Sequence, residues 1–450
     1  MENPESINVL SETIFSLSSA SGRAGVAVFR LSGPTSAESV KKLTHRSVPK
    51  PRYAALRNLM SPDGDPIDEA LTLWFPGPAS FTGEDCVEFH THGSPAVING
   101  LSEALMSLGL RQAEPGEFTR RAVQNGKMDL TEAEGLADLI DAQSAGQRVQ
   151  ALRQMGGGLR DIYEGWREQL LDALAQIEGE IDFPDEGDIP DSLSHGAYAP
   201  LGELASEMKT ALEDMGRGAA IRSGLDIAII GAPNAGKSTL INALTRREIA
   251  ITSPEAGTTR DVVEAQMVIA GLPVTLSDTA GLRVSDNAIE AEGVRRAQKR
   301  AAEAEITIYV VRPGTTEFDP AIADSLTEND LIFINKTVGY DDISQANFFG
   351  ALRGNLLEQG GEAVLHNRLE EIVREKYSVG QDSGLTRARH GDCVRRAQDA
   401  IFRAQTHLGF APELAGEDLR VALRSLSELA GETDIEAVFD RIFSRFCVGK

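Results

Sequence analysis

Apolar and polar positions along the chain change their period three times. In the first ~120 residues short alternating runs, Gly25 to Leu31, Ala70 to Phe75 and Cys86 to His90, read as strands, and Val97 to Leu108 spaces its apolar residues like a helix packed on a sheet. From Pro115 the period lengthens. Leu136, Leu139 and Ile140 begin a helical stripe, the run Gly156 to Gly158 interrupts it, and Leu159 to Ile181 and Leu201 to Met215 resume it, with Pro184 ending the first of these. Thr131 and Glu134 have the spacing of a capping box at its start. The same helical pattern returns from about Leu385 to Phe446. Between the two helical stretches, Leu225 to Ile230, Val262 to Ile269, Val274 to Ser277, Ile306 to Val311 and Leu331 to Ile334 are strand-like and alternate with helices, as a mostly parallel sheet requires. The expected architecture is multidomain α/β. An α+β domain (1–120) precedes a helical domain in two parts (121–218 and 378–450), into which an α/β domain (219–377) is inserted. Such insertions are tolerated where chain ends lie close together.

Composition narrows the partners. A chain of 450 residues exceeds what one core serves, and a formal net charge of −24 argues against a general electrostatic grip on nucleic acid, so any RNA contact is local or borrowed from a partner. No apolar run approaches the ~20 residues of a membrane span, and the acidic start lacks a basic n-region, so a cytoplasmic protein is expected. Cys86, Cys393 and Cys447 lie far apart, without the spacing of a zinc site or a disulfide framework.

The chemistry is concentrated in the inserted domain. Gly231 to Ser238 reads Gly-Ala-Pro-Asn-Ala-Gly-Lys-Ser, the full phosphate-loop pattern, after a strand and before a helix from Thr239 to Leu244. Its glycines let backbone N–H groups converge on phosphate oxygens, Lys237 can reach the β/γ-phosphates, and Ser238 is the expected Mg²⁺ ligand. Two further motifs follow in GTPase order. Gly257-Thr258-Thr259-Arg260-Asp261 offers hydroxyls that complete the Mg²⁺ shell and sense the γ-phosphate. Asp278-Thr279-Ala280-Gly281 closes a strand and brings Asp278 towards Mg²⁺ and the Gly281 N–H towards the γ-phosphate. Leu282 stands where Ras-like enzymes carry a water-orienting Gln, so hydrolysis must recruit another group. Glu290, in the polar segment Arg283 to Gly293, is either that group or part of a solvated helix turn. In the N-terminal domain, Arg30, the run Phe81 to Asp85 with Glu88, and His90-Thr91-His92 place polar groups where strands alone would not need them. A metal bound by His90 and His92 is one reading; a polar pocket is the other.

Together with Phe81-Thr-Gly-Glu-Asp85, Pro115-Gly-Glu-Phe-Thr119 and the terminal Phe446-Cys-Val-Gly-Lys450, these motifs closely resemble the MnmE (TrmE) family of tRNA-modification GTPases over nearly the full length. The resemblance implies a homodimer whose N-terminal domains bind a tetrahydrofolate derivative. It also implies a K⁺-stimulated GTPase and a flavoprotein partner, MnmG (GidA), which alone carries FAD. With that partner such a protein adds a carboxymethylaminomethyl or aminomethyl group to C5 of a tRNA wobble uridine. By matched position, folate contacts fall on Arg30, Glu88, Lys127 and Lys450. K⁺ falls on Asn234 with the backbone near Ser253, Glu255 and Thr258, and Mg²⁺ on Ser238 and Thr259. The nucleotide site extends over Asn234, Ala235, Gly236, Lys237, Ser238 and Thr239, then Ser253, Pro254, Glu255, Ala256 and Gly257 with the threonines after them. Asp278, Thr279, Ala280, Gly281, Asn335 and Lys336 complete it. Glu290 aligns with the family's water-orienting glutamate. Cys447 matches a C-terminal cysteine implicated in the modification; its tail has Gly449 in place of an aliphatic residue of a prenylation box and ends in Lys450.

One motif departs from the pattern. Asn335-Lys336-Thr337 is followed by Val338, where a carboxylate would accept two N–H bonds from guanine. The expectation is hydrolysis with relaxed base selectivity or weakened affinity unless Asp341 or Asp342 substitutes, the alternative being a folate- and partner-binding scaffold that hydrolyses poorly. Gly350 to Gly354 is the nearest candidate for the next base-contacting loop.

Overall fold

The computed structural model describes residues 12–449 apart from 21, 183–192, 233, 248–263, 279–298, 300–301, 313–329, 337–349, 378–383, 409, 433–435, 445 and 447–448. The chain divides into two compact units, Met1–Ala137 with Ser427–Lys450, and Asp138–Leu426.

In the first unit β1 (Ile14–Leu17), β2 (Ala24–Ser32), β3 (Ala55–Met60), β4 (Pro66–Phe75), β5 (Cys86–Gly93) and β6 (Arg111–Gln112) form one sheet in the order β3-β4-β5-β2-β1-β6. Its pairs are antiparallel except β1 with β6. Alternation sends Phe29, Leu31, Val87 and Phe89 into a core shared with α1 (Ser36–Thr44) and α2 (Pro95–Ser107). Arg30 and Glu88, paired in register, therefore point to the opposite face. That face also carries Leu56 and Leu71, directly opposite each other and 54% and 42% exposed. Helix α2 starts two residues before the apolar spacing suggests, because Ser94 accepts the Val97 N–H and Pro95 occupies the first turn. After α3 (Glu117–Gln124), α4 (Leu130–Asp141) corrects the capping expectation. The box is Asp129 with Glu132, each side chain accepting the other's backbone N–H at 2.8 Å. Thr131 and Glu134 are buried within the helix instead, since starting at Leu130 lets Leu130 and Ala133 face the core.

In the second unit α5 (Ala145–Met155), α6 (Gly158–Asp182), α7 (Leu193–Gly196) and α8 (Tyr198–Ser223) lead into a second sheet. Its elements are β7 (Leu225–Ile230), α9 (Lys237–Arg247), β8 (Glu264–Ile269), β9 (Leu272–Asp278), β10 (Ile306–Val311), β11 (Leu331–Asn335), β12 (Leu352–Gly354) and α10 (Ala363–Lys376). The order is β12-β11-β10-β7-β9-β8, parallel except for the β8–β9 pair. Continuous burial along β10 explains its unbroken Ile-Thr-Ile-Tyr-Val-Val run. Helix α8 outruns its expected end at Met215 and hands over to β7 through Gly224 alone, at φ +85°. The chain re-enters the helices at α11 (Ala388–His407), which runs antiparallel to α8. Gln398 Nε2 donates to Ala205 O (2.8 Å), Gln405 Nε2 to Tyr198 O (3.0 Å), and, at the other end, Arg222 Nε to Thr386 O (3.1 Å). Exit and return thus lie side by side. Beyond α12 (Pro412–Ala430), α13 (Glu436–Phe443) belongs to the first unit, where Phe443 packs on Leu130 and Ala133 and Asp440 pairs with Arg120. Among the described residues no helix is long and apolar enough to cross a membrane.

Candidate functional site

The phosphate loop leaves the carboxyl end of β7, between β10 and β9. A Cβ on Gly231, at φ +145°, would lie 2.3 Å from Val310 O, so the turn out of the strand admits only glycine. Gly236, at φ +107°, is closed in the same way by the Asn335 Nδ2 atom, 2.2 Å from where a Cβ would stand. Asn335 is 1% exposed; its Nδ2 donates to Ala235 O (2.9 Å) and its Oδ1 accepts from Leu356 N (3.2 Å). This amide is therefore a brace between the phosphate loop and the segment after β12, besides its expected place at the nucleotide. Within Gly350 to Gly354, read from the sequence as a loop, Leu352–Gly354 forms edge strand β12, and the turn that follows it is the one Asn335 holds. Lys237, 5% exposed, opens α9 and donates from Nζ to Gly231 O (2.7 Å) and Ala232 O (3.0 Å). Ser238 and Thr239 are exposed on the first turn of α9, beside the N–H groups that a helix start leaves without intrahelical partners. Asn234 is exposed at φ +58° and Lys336 at φ +63°. Asp278 closes β9 with its backbone opposite Ile229, two residues before the loop. Ser253, Pro254, Glu255, Ala256, Gly257, Thr258, Thr259, Thr279, Ala280, Gly281, Glu290 and Val338 lie outside the described residues.

The polar face of the first sheet holds a cavity of about 240 Å³, lined by Arg30, Arg52, Phe75, Ala79, Ser80, Phe81, Cys86 and Glu88. Arg30 donates to Glu88 Oε1 from Nε (3.1 Å) and Nη2 (2.9 Å), and Glu88 Oε2 meets His90 Nε2 at 3.2 Å. The Phe81 ring lies 5.4 Å from the guanidinium. Lys127 does not line this space. Its Nζ donates to Pro78 O (2.9 Å), tying down the loop that forms one wall. His90 and His92 do not converge as a metal pair: His90 meets Glu88 and His92 meets Asp68 (2.8 Å), and among the described residues no group of three or more His, Cys, Asp or Glu could hold a metal. Cys447 and Lys450 lie outside the described residues, but Gly449 between them accepts from Ser18 Oγ (2.9 Å) at the end of β1.

Sequence reasoning missed what holds that wall. Arg121, 1% exposed, donates to Glu84 Oε2 (3.1 Å), Glu117 Oε1 (2.9 Å) and Glu12 O (2.9 Å). Glu84 also accepts from Ser32 Oγ (2.6 Å), and Asn125 Nδ2 donates to Thr82 O (2.7 Å). Burial pulls the Glu117 carboxyl up, yet hydrogen bonds from Arg111, the Glu114 N–H and Arg121 outweigh it and hold the group below the usual carboxylate range. The signal was Glu117 and Arg121 at i,i+4 in Glu-Phe-Thr-Arg-Arg, whose further partners Glu84 and Glu12 no local spacing reveals.

A phosphate loop on a mostly parallel sheet, with its lysine opening the following helix and its turn braced by a distant asparagine, defines a P-loop nucleotide-binding protein of α/β class. A family model described as GTP-binding protein TrmE N-terminus matches residues 13–127, and one described as MnmE helical domain matches residues 130–447. Curated relatives named tRNA modification GTPase MnmE include those of Maricaulis maris (strain MCS10), 51% identical over 98% of this chain and 100% of the relative, and Phenylobacterium zucineum (strain HLK1), 47% identical over the same shares. The solved G domain of the T. maritima FeoB iron transporter covers 33% of this chain at 18% identity and a TM-score of 0.24, which adds no argument. The chain belongs to the MnmE family of tRNA modification GTPases. It is a GTP hydrolase acting in tRNA modification.

Proposed function

We propose that the chain couples K⁺-stimulated GTP hydrolysis to addition of a carboxymethylaminomethyl or aminomethyl group at C5 of a tRNA wobble uridine. The one-carbon unit comes from a tetrahydrofolate derivative in the N-terminal cavity, and the flavin is on the partner, MnmG. The carrying observation is the Arg30–Glu88 pair set in that cavity. A guanidinium suits the folate carboxylates and a carboxylate suits the pterin N–H groups. The return of Gly449 to β1, whose Ser16 stands in register with Arg30, supports a role for Cys447 and Lys450 beside the same cavity. The exposed Leu56–Leu71 pair supports a homodimer through this sheet face. Within the two compact units we retain three functional parts: residues 1–120 for folate and dimerisation, 121–218 with 378–450 as the helical domain, and 219–377 for the nucleotide.

At the nucleotide, Lys237 and the N–H groups of Asn234 to Thr239 hold the phosphates, and Ser238, exposed on the first turn of α9, fits Mg²⁺ together with Thr259. Exposed Asn234 fits K⁺, which would supply fixed positive charge at the transferring phosphoryl group. Thr258 and the Gly281 N–H sense the γ-phosphate, Asp278 holds Mg²⁺ through water, and Glu290 orients the attacking water. Asn335 and Lys336 face the base, with guanine preference weaker than a complete Asn-Lys-x-Asp motif gives. The deciding experiment is titration of tetrahydrofolate into the full-length protein and its Glu88→Gln variant, followed by nucleoside analysis of tRNA from cells carrying each. The expected result is binding weakened about tenfold and loss of the wobble-uridine group. Equal affinity in both proteins would remove the folate assignment.

A further inference from the structure

Arg312 follows β10 directly, and β10 pairs with β7 so that Tyr309 stands opposite Ile230. That register carries residue 312 to the rim of the phosphate loop, where its Nε donates to Asn234 O at 3.0 Å. Lys237 Nζ meanwhile donates to Gly231 O and Ala232 O. Two cationic side chains thus hold carbonyls of the same four-residue turn, Lys237 buried and Arg312 exposed. At φ +58° Asn234 takes the left-handed conformation that asparagine adopts more readily than most side chains, which turns its carbonyl to where Arg312 holds it.

We propose that Arg312 is a positioning residue of the phosphate loop that fixes the Asn234 turn and adds a permanent positive charge beside it, lowering the dependence of hydrolysis on a monovalent cation. A guanidinium stays charged at every working pH. Fixed beside the phosphate site, it stabilises charge developing on the transferring group, and it repels a second cation approaching the same asparagine. The K⁺ part rests on reading Asn234 as the K⁺ ligand.

Two substitutions separate charge from bracing. Arg312→Gln keeps an N–H donor for Asn234 O without charge, and Arg312→Lys keeps the charge. GTP turnover of the full chain is measured at constant ionic strength while K⁺ replaces a bulky organic cation. Arg312→Gln should lose about tenfold in K⁺-free turnover and reach half-stimulation at roughly threefold lower K⁺, with Arg312→Lys within about twofold of the unsubstituted protein in both. If the unsubstituted protein ignores K⁺ while Arg312→Gln still loses turnover, the Asn234 reading fails and the charge role of Arg312 stands. Unchanged K⁺-free turnover in Arg312→Gln overturns the proposal. Equal losses in both variants, tracking a lowered Tm, also overturn it, because they report a brace without an electrostatic part.

Discussion

At the phosphate loop the functional groups are consecutive residues, Gly231 to Thr239, shaped by two glycines that no Cβ could replace and by one buried amide. In the N-terminal cavity Arg30, Arg52, Phe81 and Glu88 come from separate strands and connections, and what fixes the wall is a chain of ion pairs through Arg121, Glu84 and Glu117. The first design depends on backbone conformation and the second on satisfied buried charge. They should therefore fail differently: the loop by losing its shape with little effect on global stability, the cavity by destabilising the unit that contains it.

The largest effect is expected from Gly236→Ala. Its added methyl meets the Asn335 amide in a strained left-handed backbone, and nucleotide affinity should fall by about two decades or more, read by fluorescent nucleotide titration. Thermal unfolding of the first unit should stay unchanged; a matching collapse there would break the contrast. Next comes Arg121→Met, which strips half-buried Glu84 and buried Glu117 of their shared guanidinium, though Arg111 still donates to Glu117, and should cost about 3 kcal/mol in denaturant unfolding. Because the Glu117 carboxyl is held below its ordinary value of 4.5, its contribution is complete above the unfolded pKa and is lost as pH falls through the folded one. Acid unfolding of the parent should therefore begin within or below the usual carboxylate range, and Arg121→Met should flatten that part of the profile. The smallest effect is Asn125→Ala. It removes one donor to Thr82 O and should cost about 1 kcal/mol, with folate-derivative affinity reduced only slightly.

The same division governs how much could be read before the fold was known. Strands Leu225–Ile230 and Ile306–Val311 stand as their apolar runs foretold, because burial on both faces leaves a near-continuous signature, broken in the first only by exposed Asp226. The start of α4 shifted by two residues because Asp129 and Thr131 are both competent caps, and the choice fell to the packing of Leu130 and Ala133. Leu352 to Gly354 forms an edge strand inside a segment expected to be a loop, since a three-residue strand carries too little alternation to announce itself. Arg30 and Glu88 could be singled out as polar residues on strands, yet their mutual pairing follows from register between β2 and β5.

The amino-acid sequence by itself determined the phosphate loop, the order of the motifs behind it and the alternation that makes a parallel sheet, because each is written in residues close together along the chain. Tertiary structure alone decided that Asn335 braces Ala235 from 100 residues away, that Arg312 reaches the Asn234 carbonyl, and that Arg121 joins Glu84 and the Glu12 carbonyl to the Glu117 of its own helix. The physical reason is range. Backbone conformation and hydrophobic period are local properties, whereas the pairing of buried charges and amides is set by which strands lie side by side.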